Sequence, residues 1–432
     1  MAKTVVIVGG GWAGTAAALA ARKVGCEVEL FERADMLLGT GLVGGIMRNN
    51  GRFTAAEEAI AMGGGELFQV TDAVSRHKNI EFPGHKHANL YDVSLIEPAV
   101  RKVLLKAGVK INLQARVRDI QIQGKTITGV IADVLHGDSV TVHGDSFVDV
   151  SGTAGPQGNC VKYGNGCAMC ILRCMTFGPR FSIAAKAGIK EIVGEKPDGT
   201  FGAMSGSCKL LKDSLSAGIQ ATLNRAGVCV VAVPAQLQKS IESLGQKACQ
   251  QYASKEFAEN IVLLDTGHAK LMTAYYPLDI LRKVPGFENA RFEDPYSGGI
   301  GNSMRYFGML PRDNALKVEG LNNVFCGGEK AGLLVGHTEA IITGTLAGHN
   351  AARSALGLDS YVIPETLASG DAIAYVKREM QAPGGLTKKY TFSGSVYFES
   401  MKSKNLYTTD IAAIQARVDA ANAKDVFAKS LA

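Results

Sequence analysis

The sequence predicts an α/β fold in which one domain, with a parallel sheet, is assembled from two separated segments around an inserted α+β domain. Residues 3–33 read as strand, glycine-rich turn, helix and strand, and residues 321–353 again join a strand to glycines and a helix. At 432 residues the chain is also too long for one simple core. The predicted units are residues 1–155 with 310–360, residues 156–309, and a helical tail at 361–432.

The composition is close to that of an ordinary soluble globular protein. Apolar residues make up 46% and charged residues 20%, and no uninterrupted apolar run approaches a membrane span. We therefore expect a cytoplasmic location with no membrane segment or signal peptide. The net charge of +6 permits an anionic substrate or a nucleic acid but argues for neither. In a reducing compartment, nine cysteines indicate metal binding, redox chemistry or core packing rather than disulfides.

The N-terminal segment has the spacing of a dinucleotide-binding turn. An apolar strand at residues 5–8 and an alanine-rich helix at residues 15–24 flank the glycines. Gly9 permits the tight turn, Gly11 lets a pyrophosphate approach the backbone, and Gly14 lets the helix pack closely on the strand. The helix N-terminus supplies amide donors for the phosphates.

The next strand, residues 28–31, ends at an acid. We expect Glu32, eighteen residues after Gly14, to accept a hydrogen bond from a ribose hydroxyl. The remaining cofactor contacts expected around this turn are Trp12, Ala13 and Arg33.

Later segments favour FAD over NAD. The glycine loop GTGLVGGI at residues 39–46 suits backbone that lies along a long ligand, with Gly39 and Thr40 as its contacts. Val117 is placed in a strand to offer backbone groups to an adenine. Residues 146–153 read as a strand that ends in a small-residue turn, with Ser151 and Gly152 as contacts.

A second glycine turn follows the strand at residues 324–326. Gly328 and Glu329 are expected cofactor contacts, and a helix is predicted from about residue 338. Its small residues share one face, which indicates close packing on a neighbouring helix. We favour a second role as well, in which the helix N-terminus directs amides at a flavin ring. His337 then either hydrogen-bonds the flavin or caps the helix.

These segments resemble the glutathione-reductase-type FAD fold, and in particular the flavoproteins related to glucose-inhibited division protein A. That group includes the tRNA-uridine carboxymethylaminomethyl-modifying flavoenzyme and the folate-dependent tRNA uridine methyltransferase. The matching stretches are VVIVGGGWAGTAAALAARKVGCEVELFER, VPGFENARFEDP, VFCGGEKAGLLVGHTEAIITGTLAGHNAAR and IPETLASGDAIAYV. The resemblance implies a Rossmann-like, discontinuous FAD-binding domain with the pyrophosphate of tightly bound FAD on residues 9–14. Residues 156–280 resemble neither enzyme closely.

Four cysteines lie within fifteen residues, just after the predicted boundary between the first domain and the inserted domain. They are Cys160, Cys167, Cys170 and Cys174. Four thiolates can hold a [4Fe–4S] cluster, the interpretation we favour, with these four residues as metal ligands. Alternatively, Cys167 and Cys170 form a catalytic dithiol that exchanges with flavin, since their spacing lowers the thiol pKa. A zinc site or buried thiols are the remaining alternatives, and Cys208 is a replacement fourth ligand.

Other residues carry weaker expectations. Cys26, Cys229, Cys249 and Cys326 follow helix or strand patterns typical of core residues. His85 and His87 are expected in a solvent-exposed loop. In the inserted domain we predict helices at residues 209–226 and 236–260 and strands at 229–235 and 261–267. Residues expected to line a substrate pocket are Tyr275, Tyr276, Arg305 and Tyr306.

The sequence therefore predicts an FAD-dependent oxidoreductase with a cysteine-rich redox site beside the flavin. Its substrate would be a small molecule or a redox protein. Because the sequence shows no second dinucleotide turn for NAD(P)H, either the reductant binds transiently over the flavin or electrons come from a protein or metal partner, and an electron-transfer protein could be that partner. The tail beyond residue 361 could serve as a lid, dimer arm or partner surface, and we expect a homodimer. The alternatives are a tRNA-uridine-modifying flavoenzyme, a flavin/dithiol disulfide reductase, or a scaffold in which FAD is structural.

Overall fold

The computed structural model describes most of the chain. It describes residues 2–134, 137–153, 174–196, 198–199, 203–204, 208–245, 250–272, 276–293, 304–305 and 307–432. The strands are β1 (Thr4–Val8), β2 (Glu27–Phe31), β3 (Ile46–Met47), β4 (Ser75–Phe82), β5 (His85–Tyr91), β6 (Lys110–Asn112), β7 (Arg116–Gln123), β8 (Thr126–Asp133), β9 (Ser139–His143), β10 (Ser146–Asp149), β11 (Ile192–Val193), β12 (Ala203–Met204), β13 (Cys208–Leu210), β14 (Val228–Ala232), β15 (Asn260–Asp265), β16 (Ala269–Leu271), β17 (Met304–Arg305), β18 (Gly308–Met309) and β19 (Val324–Cys326).

The helices of the described residues are mostly short. They are α1 (Trp12–Val24), α2 (Gly41–Gly44), α3 (Gly51–Ala61), α4 (Glu66–Ala73), α5 (Ile96–Lys106), α6 (Cys174–Phe177), α7 (Ile183–Lys186), α8 (Ala217–Ala226), α9 (Ile241–Gly245), α10 (Lys255–Glu259), α11 (Leu278–Leu281), α12 (His337–Ala355), α13 (Ala368–Gln381), α14 (Ser395–Ser403) and α15 (Ile411–Ala420). Among them, no helix combines the length and the apolar character needed to cross a membrane.

A five-stranded parallel sheet forms the centre of the molecule, in the order β19–β10–β1–β2–β6. Val5 lies opposite Val28 on one side and Ser146 on the other. The side chains of residues 5–7 are fully buried, as expected for a parallel strand covered on both faces. Because all five strands are parallel, their carboxyl ends meet at one edge of the sheet. The predicted α/β fold with a discontinuous first domain is confirmed.

The inserted region has its own antiparallel sheet, ordered β13–β16–β15–β14. Its core includes the fully buried Leu263, Leu271 and Phe287. The predicted strands at residues 229–235 and 261–267 correspond to β14 and β15. The helix predicted at residues 209–226 is wrong in its first part, because Cys208–Leu210 pairs with β16 as strand β13. The helix predicted at residues 236–260 is replaced by shorter pieces that include α9 and α10.

The C-terminal residues form helices that pack on the N-terminal part of the chain. Both oxygens of the fully buried Glu58, in α3, accept hydrogen bonds at the start of α13. They bind the amides of Ala368 at 2.8 Å and Ser369 at 2.9 Å. Glu58 thereby satisfies amides that a helix N-terminus otherwise leaves without acceptors. The division of the chain into three units remains a prediction.

His85 corrects the expectation of two exposed histidines. It begins β5 and is only 2% exposed, with its ring stacked on Phe82 at 4.5 Å between centroids. Asn49 donates an amide hydrogen bond to His85 Nδ1 at 2.9 Å. Burial, reinforced by the charge of Arg52, lowers the pKa of His85 to about 3, so the ring is neutral. His87 is half-buried and contacts Asn79.

Three of the cysteines expected in the core are buried there. Cys26, Cys229 and Cys326 are free, buried thiols. Burial raises the pKa of Cys326 to about 12 and that of Cys26 to about 11. Both thiols therefore stay protonated and unreactive at neutral pH. Cys249 lies outside the described residues.

A buried acid joins the inserted sheet to the N-terminal half. Asp265, at the end of β15, accepts from Lys212 at 2.6 Å and contacts His77 at 2.9 Å and Arg76 at 3.2 Å. Its side chain is fully buried. Burial alone would raise the pKa of Asp265, but the hydrogen bonds from Lys212 and His77 outweigh burial and the pKa is lowered.

We expect Asp265→Asn to lower the free energy of unfolding by about 2 kcal/mol, because the cations Lys212 and Arg76 lose their shared anion. The wild-type carboxylate stabilises the fold above its unfolded pKa, and this contribution is lost as the pH falls through the lowered folded pKa. Urea unfolding from pH 3 to pH 7 should thus show the two proteins converging at acid pH. Equal stabilities at pH 7 would contradict the prediction.

Candidate cofactor site

The turn between β1 and α1 uses its three glycines in different ways. Gly9 has φ of +112°, and a Cβ atom there would lie 2.3 Å from the oxygen of Val150. A Cβ on Gly14 would lie 1.9 Å from the oxygen of Gly9. The packing of the chain itself therefore requires these two glycines. A Cβ on Gly11 would meet no described atom within 4 Å, so this backbone borders open space.

The first turn of α1 is suited to an anion. Gly11 is its N-cap, no side chain caps the helix, and its first turn contains no acid. Trp12 and Ala13 begin the helix, with the indole Nε1 of Trp12 buried and without a hydrogen-bond partner in the described part of the chain. Amides left without an acceptor at a helix start attract phosphate oxygens.

Glu32 lies at the carboxyl end of β2, beside the same turn. Its oxygens accept the amide of Gly10 at 2.7 Å and that of Ala34 at 2.8 Å. A carboxylate has about four acceptor positions, so a ribose hydroxyl can still bind Glu32. Arg33, the next residue, donates to the oxygen of Gly178 at 2.6 Å. The roles of Glu32 and Arg33 in cofactor binding remain predictions.

The second glycine turn lies at the same sheet edge. Gly328 follows β19, has φ of +59°, and its amide donates to Thr343 Oγ1 at 2.8 Å. Glu329 accepts from Thr153 Oγ1 at 2.6 Å, which ties the end of β19 to the end of β10. After β10, Ser151 donates to the buried Asp149 at 2.6 Å. Gly152 has φ of +78° and borders open space.

Helices α1 and α12 pack closely and point in the same direction. A Cβ on Gly344 would lie 2.2 Å from the oxygen of Ala13, and one on Gly348 would lie 2.1 Å from that of Ala17. The small-residue face of α12 thus packs on α1, as the first interpretation predicted. Because Gly344 is level with Ala13, α12 begins about 9 Å beyond the start of α1. A long ligand can therefore meet both helix ends.

Three aromatic side chains connect the two helix starts. The Trp12 ring lies 5.9 Å from Tyr91 and 6.2 Å from His337, centroid to centroid. The Tyr91 hydroxyl donates to the oxygen of Gly41 at 2.7 Å and lies 3.3 Å from His337 Nδ1. His337 is the first residue of α12, whose N-cap is Gly336, so it does not act as the side-chain cap. Sequence reasoning missed Tyr91, which lies in a strand without a motif.

The remaining predicted cofactor contacts lie outside the two glycine turns. Gly39 has φ of +46° and borders open space, and Thr40 is the N-cap of α2 without a side-chain cap hydrogen bond. Val117 is buried in β7, an edge strand, opposite Ala132. Their roles remain predictions.

The cysteine cluster falls almost wholly outside the described residues. This holds for Cys160, Cys167 and Cys170, whereas Cys174 begins α6. Within the described ranges, no group of three or more His, Cys, Asp or Glu side chains could hold a metal ion. Of the expected pocket residues, Tyr276 is buried and donates to the oxygen of Leu237 at 3.1 Å. Tyr275 and Tyr306 also fall outside, and Arg305 lies in β17.

The residues present fit a dinucleotide. The backbone at Gly11 and at Gly152 borders open space at the carboxyl edge of a parallel sheet, and α1 and α12 both begin without a side-chain cap. This arrangement is that of the Rossmann-like FAD-binding fold. The chain belongs to the family described as glucose inhibited division protein A, whose model matches residues 4–273 and 265–359.

Solved structures show the same fold. The chain is similar to Aquifex aeolicus GidA in its form II crystal, with a TM-score of 0.67 and 15% identity over 98% of this chain and 72% of that one. For the form I crystal of Aquifex aeolicus GidA, the TM-score is 0.61 and the identity 15%, over 97% of this chain and 79% of that one.

Proposed function

We propose that this chain is an FAD-dependent enzyme that modifies a uridine of tRNA. The observation that carries the proposal is the family match, which spans both glycine turns and the region between them. When bound, FAD would supply two-electron redox chemistry. The protein would supply binding and orientation, and the flavin ring would lie near the start of α12.

Each turn would have a distinct role in this enzyme. The backbone around Gly11 and the start of α1 would hold the pyrophosphate, and Glu32 would hold the ribose. Ser151 and Glu329 occupy the ends of β10 and β19, where they would position backbone near the flavin. The start of α12 would stabilise negative charge on the reduced ring. We also propose a homodimer with tRNA as its partner, which the net charge of +6 permits.

The proposal is tested by nucleoside mass analysis of tRNA from cells with and without this chain. We expect one modified uridine to disappear with the chain and to return with the wild-type gene but not with Gly11→Val. Purified protein should bind bulk tRNA at least tenfold more weakly at 200 mM than at 50 mM salt, because phosphate contacts release counterions. Identical nucleosides in both strains would contradict the proposed function.

Two hydrogen bonds, here called anchors, flank the segment that contains the four clustered cysteines, and they favour a second candidate function. Thr153, just before it, binds Glu329 at the end of β19. Gly178, just after it, accepts from Arg33 at the end of β2. Both anchors lie at the sheet edge where we place FAD. A cluster on Cys160, Cys167, Cys170 and Cys174, or a Cys167–Cys170 dithiol, would then exchange electrons with the flavin.

Iron analysis distinguishes this candidate from the first. For an iron–sulfur protein, anaerobic purification should give about four irons and four sulfides per chain, and Cys167→Ser should lose them. Cys229→Ser is the matched control, since that thiol is buried in the inserted domain. Absence of iron in the anaerobic wild type would eliminate the cluster. Thiol titration before and after flavin reduction would then test the dithiol.

A further inference from the structure

An ion pair that joins distant parts of the chain lies at the start of α12. Arg52, in α3, donates from Nε to both oxygens of Glu339, at 3.0 and 3.1 Å. Glu339 is the third residue of α12. Its side chain is fully buried and that of Arg52 is 11% exposed. Such a pair is held in one geometry, because neither charge can turn to solvent.

The Arg52–Glu339 ion pair lies directly against Gly336, the N-cap of α12. A Cβ on Gly336 would lie 2.1 Å from both Arg52 Nη2 and Glu339 Oε2. The C-terminal segment completes the contact, since Thr391 Oγ1 and the amide of Phe392 donate to Glu339 Oε1 at 2.6 and 3.0 Å. Arg52 also donates to Thr391 Oγ1 at 3.0 Å. Residues from three parts of the chain thus converge on one helix end.

This arrangement keeps the charge of Glu339 from cancelling the helix dipole. A glutamate at the third helical position often turns back to bind the N-cap amide. Here the carboxylate of Glu339 accepts hydrogen bonds from Arg52, Thr391 and the amide of Phe392 instead. Its negative charge is offset by a guanidinium at about 3 Å, and the positive end of α12 is preserved.

The field of Arg52 extends to the aromatic residues beside this helix start. Burial raises the pKa of Tyr91, and hydrogen bonding and, more weakly, the positive charge of Arg52 oppose that effect. The Tyr91 hydroxyl lies 3.3 Å from His337 Nδ1, at the first residue of α12. The pair is thus close enough to act on a charge that develops at this end of the helix.

We propose that Arg52 and Glu339 are positioning residues that set the reduction potential of the bound flavin, with effects of opposite sign. The proposal rests on the proposed function, because it needs FAD at the start of α12. Reduction adds negative charge to the ring, so an unpaired Arg52 favours the reduced form and an unpaired Glu339 disfavours it.

The test is a dye-equilibrated reductive titration of four FAD-loaded proteins. We expect Glu339→Gln to raise the potential and Arg52→Gln to lower it. Each shift corresponds to about a tenfold change in the affinity ratio of oxidised and reduced FAD, which is about 30 mV for two electrons. The double variant should return close to the wild-type potential, since both charges are then removed.

Two further variants separate charge from general damage. Arg52→Lys keeps the positive charge but loses the planar guanidinium that binds both carboxylate oxygens. This variant should stay near the wild-type potential. Arg48→Gln breaks another ion pair, between the buried Arg48 and the half-buried Asp72, and should leave the potential unchanged. Shifts of the same sign in both single variants, or none, would overturn the proposal. A wild type that binds no FAD would instead refute the proposed function, and thermal unfolding of the apoproteins would reveal variants that fail to fold.

Discussion

Replacing Gly348 by alanine is expected to lower the free energy of unfolding by about 3 kcal/mol, at the upper end of the usual cost of overpacking. The added Cβ would lie 2.1 Å from the oxygen of Ala17 and 2.4 Å from its Cα. These are backbone atoms of α1, which cannot move aside as a side-chain tip can. Helices α1 and α12 would have to separate, and the two helix starts proposed to contact FAD would separate with them.

Gly218→Ala is the matched control, because Gly218 is also helical and a Cβ there would meet no described atom within 4 Å. Since alanine favours helix, this variant should be unchanged or gain up to about 1 kcal/mol. Chemical unfolding of both variants measures the difference. Equal stabilities would show that α1 and α12 do not pack as described.

The second large effect is expected at Gly11, where valine should weaken FAD binding by about 100-fold, or about 2.7 kcal/mol, with little change in stability. The backbone of Gly11 is extended, with φ of −68° and ψ of −175°, which valine adopts readily. Its side chain would enter the open space beside the first turn of α1, where we place the pyrophosphate.

Flavin fluorescence titration of the apoproteins measures this effect, and thermal unfolding without FAD provides the folding control. Gly218→Val changes helix α8 of the inserted region, outside both glycine turns, and should bind FAD like the wild type. Undiminished affinity in Gly11→Val would place the dinucleotide elsewhere.

Sequence reasoning succeeded where short segments determine their own structure. The apolar strand and glycine spacing predicted β1, α1 and β2 to within three residues at each boundary, and the second glycine turn predicted β19 and the start of α12. These patterns are local, since turn geometry and strand burial depend on neighbouring residues. The small-residue face of α12 could also be predicted from the sequence, although the sequence did not reveal that this face packs on α1.

The predictions that failed depend on contacts between residues that are far apart in the sequence. Residues 208–210 form a strand only because β16 lies beside them, and tertiary pairing overrode the helical pattern. His85 has no local sign of burial, because the aromatic rings that enclose it include Tyr252. Arg52 and Glu339 are 287 residues apart, and neither belongs to a motif. No single-sequence pattern could have paired them.

The most direct test of the cofactor assignment is the flavin content of wild-type protein. We expect a purified, desalted sample to show a flavin absorption spectrum, and heat-released cofactor to equal one FAD per chain. A colourless protein that also fails to take up FAD on reconstitution would contradict the assignment, and with it the functions proposed for both glycine turns.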